Sequence, residues 1–315
     1  MQSLRAIHRA IQAANNARFG LEWTSRLPYR NLHPRFLAAL EQYPDWPRPD
    51  QYDELARQVP QCAHEPEAAL PRFVAQDRKV LEELGGYELH VAKLRQVPTR
   101  PSNWHDFFNM AVWAHFPRLR WALNALHVDD QIGPKDPRNG RAPAQNLAAT
   151  LDESGVIVLS TSSGLLEDLR ELRFKRVFWE HRAELLETTR FWFVGHGTLE
   201  SLLTPHPGLT AKGLLLEVPR LPAAEGEDEL RHAIDARAAA AVHGFRQSHH
   251  ILDPVPILGI PGYWDNERPE FYDDTLHFRL ERQSRAKRSD RRLNAERDAL
   301  GLAGVTARSP ARPER

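Results

Sequence analysis

Two short apolar runs constrain this chain more than any other feature: Val156-Ile-Val-Leu159 and the segment Arg190-Phe-Trp-Phe-Val194. Both are compact and dominated by β-branched or aromatic residues, which fits strands buried inside a sheet. A helical spacing follows each run, Gly164–Leu172 after the first and Thr198–Leu203 after the second. Strands alternating with helices predict a helix-rich α+β fold, a small central sheet with helices packed on it, with α/β as the alternative. Further helices are predicted over residues 34–42, from Asp50 onward, and over Asp77–Leu84, where Gly85-Gly86 provides a stop. Trp104–Phe116 and Leu119–His127 read as two helices, because Pro117 forbids a single uninterrupted one. Glu227–Phe245 reads as another, with Leu230, Ile234, Ala238 and Val242 on one face. Tyr87, Leu89 and Val91 alternate with Glu88 and His90, which predicts a half-buried strand. Residues 129–146 read as a long polar loop and 248–276 as an extended wrap.

Composition narrows the class. Of 315 residues, 41% are hydrophobic and 27% charged, and 42 basic side chains balance 42 acidic ones, as in an ordinary protein with a buried core. A single cysteine, Cys62, excludes an intramolecular disulfide and a cysteine-based metal cluster. No apolar run approaches the roughly 18–20 residues that span a bilayer, so no membrane partner is expected. Leu4, Ile7 and Ile11 give the N-terminal segment an amphipathic helical stripe instead of the apolar core of a secretory leader. With the lone thiol, this leads us to expect a cytoplasmic location. Residues 1–281 are expected to form one domain and 282–315 a flexible tail, in which ten Lys/Arg face four acids for a charge of +6. No aromatic residue lies in that tail, so nucleic acid is expected as a partner only through salt-sensitive phosphate contacts.

Four constellations can carry chemistry. In Asn103-Trp-His-Asp-Phe-Phe-Asn109, a helical spacing places His105, Asp106 and Asn109 on one face. Imidazole and carboxylate suit proton transfer near neutral pH and bind divalent metals. The same string also fits plain helix capping by Asn103 with Asp106 closing the box. Asn124 and His127 lie three apart on the next helix and can face the first cluster or cap a C-terminus. Gly195-His196-Gly197 puts His196 at the end of a strand, where flanking glycines allow an unusual backbone angle or close approach of a ligand. Asp152-Glu153-Ser154-Gly155 reads as a polar turn, and Asp152 or Glu153 can serve as a base or metal ligand. Lys212 can neutralise an anion or lie along apolar surface. His-Glu-x-x-His, Gly-x-Ser-x-Gly, dinucleotide and phosphate-loop glycine patterns are all missing, which leaves no cofactor-binding motif.

Several of these strings together resemble a bacterial domain-of-unknown-function family, number 3025. They are Asn103-Trp-His-Asp-Phe-Phe-Asn109, Phe116-Pro117, Leu123-Asn-Ala-Leu-His127, Asp152-Glu-Ser-Gly155, Gly195-His196 and Gly208-Leu-Thr-Ala-Lys212. Pro256-Ile-Leu-Gly-Ile-Pro-Gly-Tyr-Trp264 and Phe271-Tyr-Asp-Asp274 complete the set, over about residues 20–280. The resemblance implies that these blocks share one domain. It implies no activity.

Two functions remain open on these residues. One is a hydrolase acting on a small polar or phosphorylated substrate, with His105, Asp106, Asn109, His196, Asp152 and Glu153 around a cleft. In its metal form His105, Asp106 and His196 hold Zn, Mn or Mg, and Glu153 or Asp152 activates water. Without a metal, one histidine is the base and Asp106 orients it. The other is a non-enzymatic binding or adaptor protein, in which the same groups form a structural hydrogen-bond network.

Overall fold

The computed structural model describes residues 16–60, 69–129, 133, 135–137, 140–221, 227–247 and 252–278. The expected N-terminal helix, Cys62 and the basic tail lie outside the described residues. In chain order the helices are α1 (Pro34–Leu40), α2 (Tyr52–Ala56), α3 (Arg78–Leu84), α4 (Tyr87–Leu94), α5 (Trp104–His115) and α6 (Pro117–Val128). They continue as α7 (Pro143–Ser154), α8 (Ser163–Arg170), α9 (Arg182–Thr188), α10 (His196–Ser201) and α11 (Glu227–His243). Strands β1 (Arg72–Ala75) and β2 (Gln96–Thr99) form a parallel pair. Strands β3 (Gly155–Ser160), β4 (Thr189–Phe193), β5 (Thr210–Glu217) and β6 (Asp253–Pro256) form a mixed sheet in the order β4-β3-β5-β6. The fold is α+β. Among the described residues, no helix is long and apolar enough to cross a membrane.

β3 is buried at every position, as its unbroken apolar run demands, because it is central in the sheet and helices α7 and α8 pack on it. It runs parallel to β5 and antiparallel to β4. The late segment departs from the expected wrap: Asp253–Pro256 pairs with β5 and completes the sheet. A second departure is Tyr87–Val91, which is helical. Gly86 starts α4, and Tyr87, Val91 and Leu94 recur at four and three residues, so the short alternation also satisfied a helix. Asp77 caps α3 and Gly85 ends it at φ 90°, as expected.

Pro117 separates α5 from α6 and occupies the first position of α6, where its missing N–H costs nothing. The next two N–H groups, of Arg118 and Leu119, donate to the buried Asp235 carboxylate of α11 at 3.0 and 2.9 Å. That long-range cap holds α11 along α6. α5 also buries an aromatic face: Trp104 and Phe108 stack on Phe19 and Tyr29, and Phe107 and Phe108 meet Phe19 and Trp23 edge to face. His115 ends α5 fully enclosed, its Nδ1 donating to the Ala111 carbonyl and its Nε2 accepting from the His33 N–H.

Burial, opposed by the Ala111 carbonyl and aided by the neighbouring Arg231 and His33, pushes His115 down to about 3. An unfolded histidine titrates near about 6.5. The contribution of His115 is therefore fully present above that value and lost as pH falls toward 3, with a slope of up to about 1.4 kcal/mol per pH unit. Urea denaturation between pH 7 and 4 is expected to show a falling midpoint. Burial raises Asp235 to about 7, which works in the opposite sense over this range, so the comparison is with His115→Gln, and an equal fall in both proteins would contradict this burial.

Candidate functional site

One turn of α5 presents His105, Asp106 and Asn109 away from the aromatic core and into a cavity of about 540 Å³. The last turn of α7 brings Asp152 and Glu153 to the same cavity, and the first residue of α10 brings His196. The acidic string is thus the end of a helix, not a turn, and Gly155 begins β3 directly after it. His196 does follow a strand, β4. That strand lies antiparallel to β3, so the site sits beside the start of β3 and departs from the crevice rule of parallel sheets.

The glycines around His196 act differently from expectation. Gly195 has an ordinary φ of −79°. A Cβ there would overlap the backbone of Ser154 and Gly155, and a Cβ on Gly197 would overlap the Glu153 carboxylate. They let α10 abut the α7–β3 junction, so the close approach is of the chain to itself. Gly195→Ala is expected to cost about 1–3 kcal/mol, as overpacking against backbone does, measured by chemical denaturation. An unchanged midpoint would show that the junction can move apart.

At the centre, Glu153 Oε2 lies 3.4 Å from His105 Nε2 and 3.3 Å from His196 Nε2. The two rings meet edge to face with centroids 4.3 Å apart. One ligand atom from each of the three residues falls within 4.8 Å of the others. Behind each imidazole stands an acid bound to an arginine. His105 Nδ1 lies 3.4 Å from Asp106 Oδ1, and Asp106 accepts from the Arg100 backbone N–H at 2.6 Å, Nε at 2.9 Å and Nη2 at 2.6 Å. His196 Nδ1 lies 3.7 Å from Asp152 Oδ1, and Asp152 pairs with the buried Arg120. Asp106 is therefore held behind His105, while Glu153 stands between the rings.

These contacts set the charges. Burial works against a charged His105, but hydrogen bonds to Asp106 and Glu153 prevail and raise it to about 9. Burial dominates at His196 and, with the charges of His105 and Arg120, lowers it to about 4 despite Glu153. Hydrogen bonds from His105 and then His196 hold Glu153 well below the usual carboxylate range. Asp106 is lowered to about 2, since Arg100 and His105 outweigh its desolvation. One imidazolium thus shares the cluster with one neutral imidazole.

The remaining candidates divide. Asn109 and His127 line the cavity; burial first, then Arg141 and Arg120, push His127 down to about 4. Asn124 is buried and donates to the Glu88 carbonyl and carboxylate at 3.0 and 2.7 Å, tying α6 to α4. Lys212 sits on β5 opposite Gly155 in register and is not among the cavity residues. Sequence reasoning missed Arg100, Arg120 and Tyr87. Arg120 shares a helical face with Asn124 and His127, and that spacing was the signal available.

Fold and site together define an α+β protein in which two imidazoles and a carboxylate converge on one polar cavity. Residues 71–282, about two thirds of the chain, match the family described as "Protein of unknown function (DUF3025)", and the chain belongs to that family. The matched span starts later than residue 20 and contains all three central residues. No curated protein and no solved structure matches the chain.

Proposed function

We propose that the protein is a divalent-metal hydrolase acting on a small polar or phosphorylated substrate, with His105, His196 and Glu153 as ligands. The observation that carries this is the pair of spacings around Glu153 Oε2, 3.4 and 3.3 Å to the two Nε2 atoms. Ligand bonds of about 2.0–2.1 Å in a tetrahedral site separate neighbouring donors by about 3.3 Å. Three protein ligands beside an open cavity leave a fourth position for water, whose pKa the metal lowers toward neutrality. The nitrogen-rich set suits Zn or Mn better than Mg, which prefers oxygen ligands. Asp106 takes an orienting role: accepting from His105 Nδ1–H, it leaves the Nε2 lone pair for the metal. Asp152, partnered by Arg120, stands 3.7 Å from His196 Nδ1, near it but not hydrogen-bonded to it.

The test is metal content of the purified protein, followed by thermal shift on adding Zn²⁺, Mn²⁺ or Mg²⁺ to chelator-treated samples. About one equivalent bound and a raised midpoint are expected. A metal at 100 times its Kd adds about 2.7 kcal/mol of stability. A metal-free protein that shifts with none of the three would overturn the reading.

The structural-network reading is favoured by a different observation. An imidazolium at His105, held between Asp106 and Glu153, completes the ion pairs of the cluster without any metal. Under that reading His105→Ala costs several kcal/mol of stability and metal has no effect.

A further inference from the structure

The same cavity is lined by a hydrogen-bond chain whose direction can be worked out from chemistry alone. Arg120 Nη2 lies 2.9 Å from Asn109 Oδ1, and Asn109 Nδ2 lies 2.9 Å from the Tyr87 phenol oxygen. A guanidinium can only donate, so the Asn109 amide must turn its oxygen toward Arg120 and its NH₂ toward Tyr87. The phenol oxygen is therefore an acceptor in this chain. Arg120, also hydrogen-bonded to the phenol, carries hydrogens only, while the carboxylates Glu88 and Asp106 act on the phenol by charge and not through a hydrogen bond. Among the described residues no group accepts the Tyr87 O–H, and Tyr87 lines the same cavity as His105, Glu153 and His196. Burial raises the phenol to about 12, so the proton stays on the oxygen at physiological pH.

We propose that Tyr87 O–H is a substrate-binding donor, aimed at an anionic oxygen, phosphoryl or carboxyl, of the molecule that occupies this cavity. The inference deepens the hydrolase reading by naming a substrate contact and rests on that reading for the reaction. Two features favour an oxyanion over a cation or a neutral group. The donor is fixed by Asn109, so it is offered without reorganisation. Arg141 and Arg120 also bring guanidinium N–H groups to this cavity, Arg120 already paired with Asp152, and both add to the burial that lowers His127. A cavity of about 540 Å³ has room for a small anionic metabolite and not merely for a water.

The experiment titrates inorganic phosphate and acetate, by calorimetry, into wild type and Tyr87→Phe, each metal-free and Zn²⁺-loaded. At least one anion is expected to bind wild type, and Tyr87→Phe to weaken it roughly 10–100-fold, the size of a hydrogen bond to a charged group. Metal stoichiometry is expected to be unchanged. In parallel, ¹³C-tyrosine labelling of wild type, which has six tyrosines, is expected to show one Cζ signal moving as the anion is added. That spectrum decides the matter even if the variant folds poorly. Equal affinity in the two proteins, no tyrosine signal moving, or no binding of either anion would each overturn the inference. Failure of the metal reading shows separately, as identical anion binding with and without Zn²⁺ and no metal uptake.

Discussion

Arg120→Met is expected to destabilise the protein by about 3–5 kcal/mol. Arg120 is buried on α6, where its guanidinium pairs with Asp152, donates to Asn109 Oδ1 and lies over the Trp113 ring with its centre 5.0 Å from the centroid. Methionine keeps much of the apolar stem and removes every donor. The loss therefore falls on the partners: Asp152 becomes a mostly buried carboxylate without its counter-charge, and the Asn109 oxygen loses its donor. Removing one member of a buried ion pair typically costs about that amount, mainly from the charge left behind. The double variant Arg120→Met/Asp152→Asn is expected to regain a large part of it, because the stranded charge is gone. Chemical denaturation of the wild type, both single variants and the double variant measures the coupling. A cost below about 1 kcal/mol for Arg120→Met would mean that the pair is solvated.

His196→Ala is expected to reduce divalent-metal affinity by more than 100-fold while leaving the fold intact. Outer-shell residues of metal sites typically contribute about 10–100-fold, and a direct ligand contributes more. His196 Nε2 is one of two nitrogens facing Glu153 Oε2, so its removal leaves one imidazole and one carboxylate, too few for a closed site. Asp106→Asn is expected to fall in the smaller range, because Asp106 stands behind His105 and outside the three central residues. Competition titration against a metal-binding dye gives both affinities. If His196→Ala binds metal as tightly as wild type, the ligand assignment is wrong. If it instead loses several kcal/mol of stability with no metal effect in either protein, the cluster is a packing network.

Much of this architecture was legible along the chain. The unbroken apolar run at Val156 meant a strand enclosed on both faces, and β3 is one. Pro117 had to divide the α5–α6 segment, since a proline inside a helix removes a hydrogen bond and clashes with the preceding turn. The spacing of His105, Asp106 and Asn109 put them on one helical face, and they share one cavity. Tyr87–Val91 misled because five residues of alternation fit both periods, and only the neighbouring glycines and Leu94 separate them.

What the local pattern settled, then, was which side chains point the same way on an element: the division at Pro117, the buried strand, and the polar face of α5. Which polar groups meet across elements was decided by packing alone. Glu153 stands between the imidazoles and Asp106 behind one of them because α7 and α10 cross beside the α5 N-terminus, with glycines at 195 and 197 permitting the approach. The arginines that hold the acids, the reach of Asp235 to cap α6, and the chain from Arg120 through Asn109 to Tyr87 arise in the same way. Periodicity is a property of one helix or strand, whereas a charge finds its partner only after burial has excluded water and left no other.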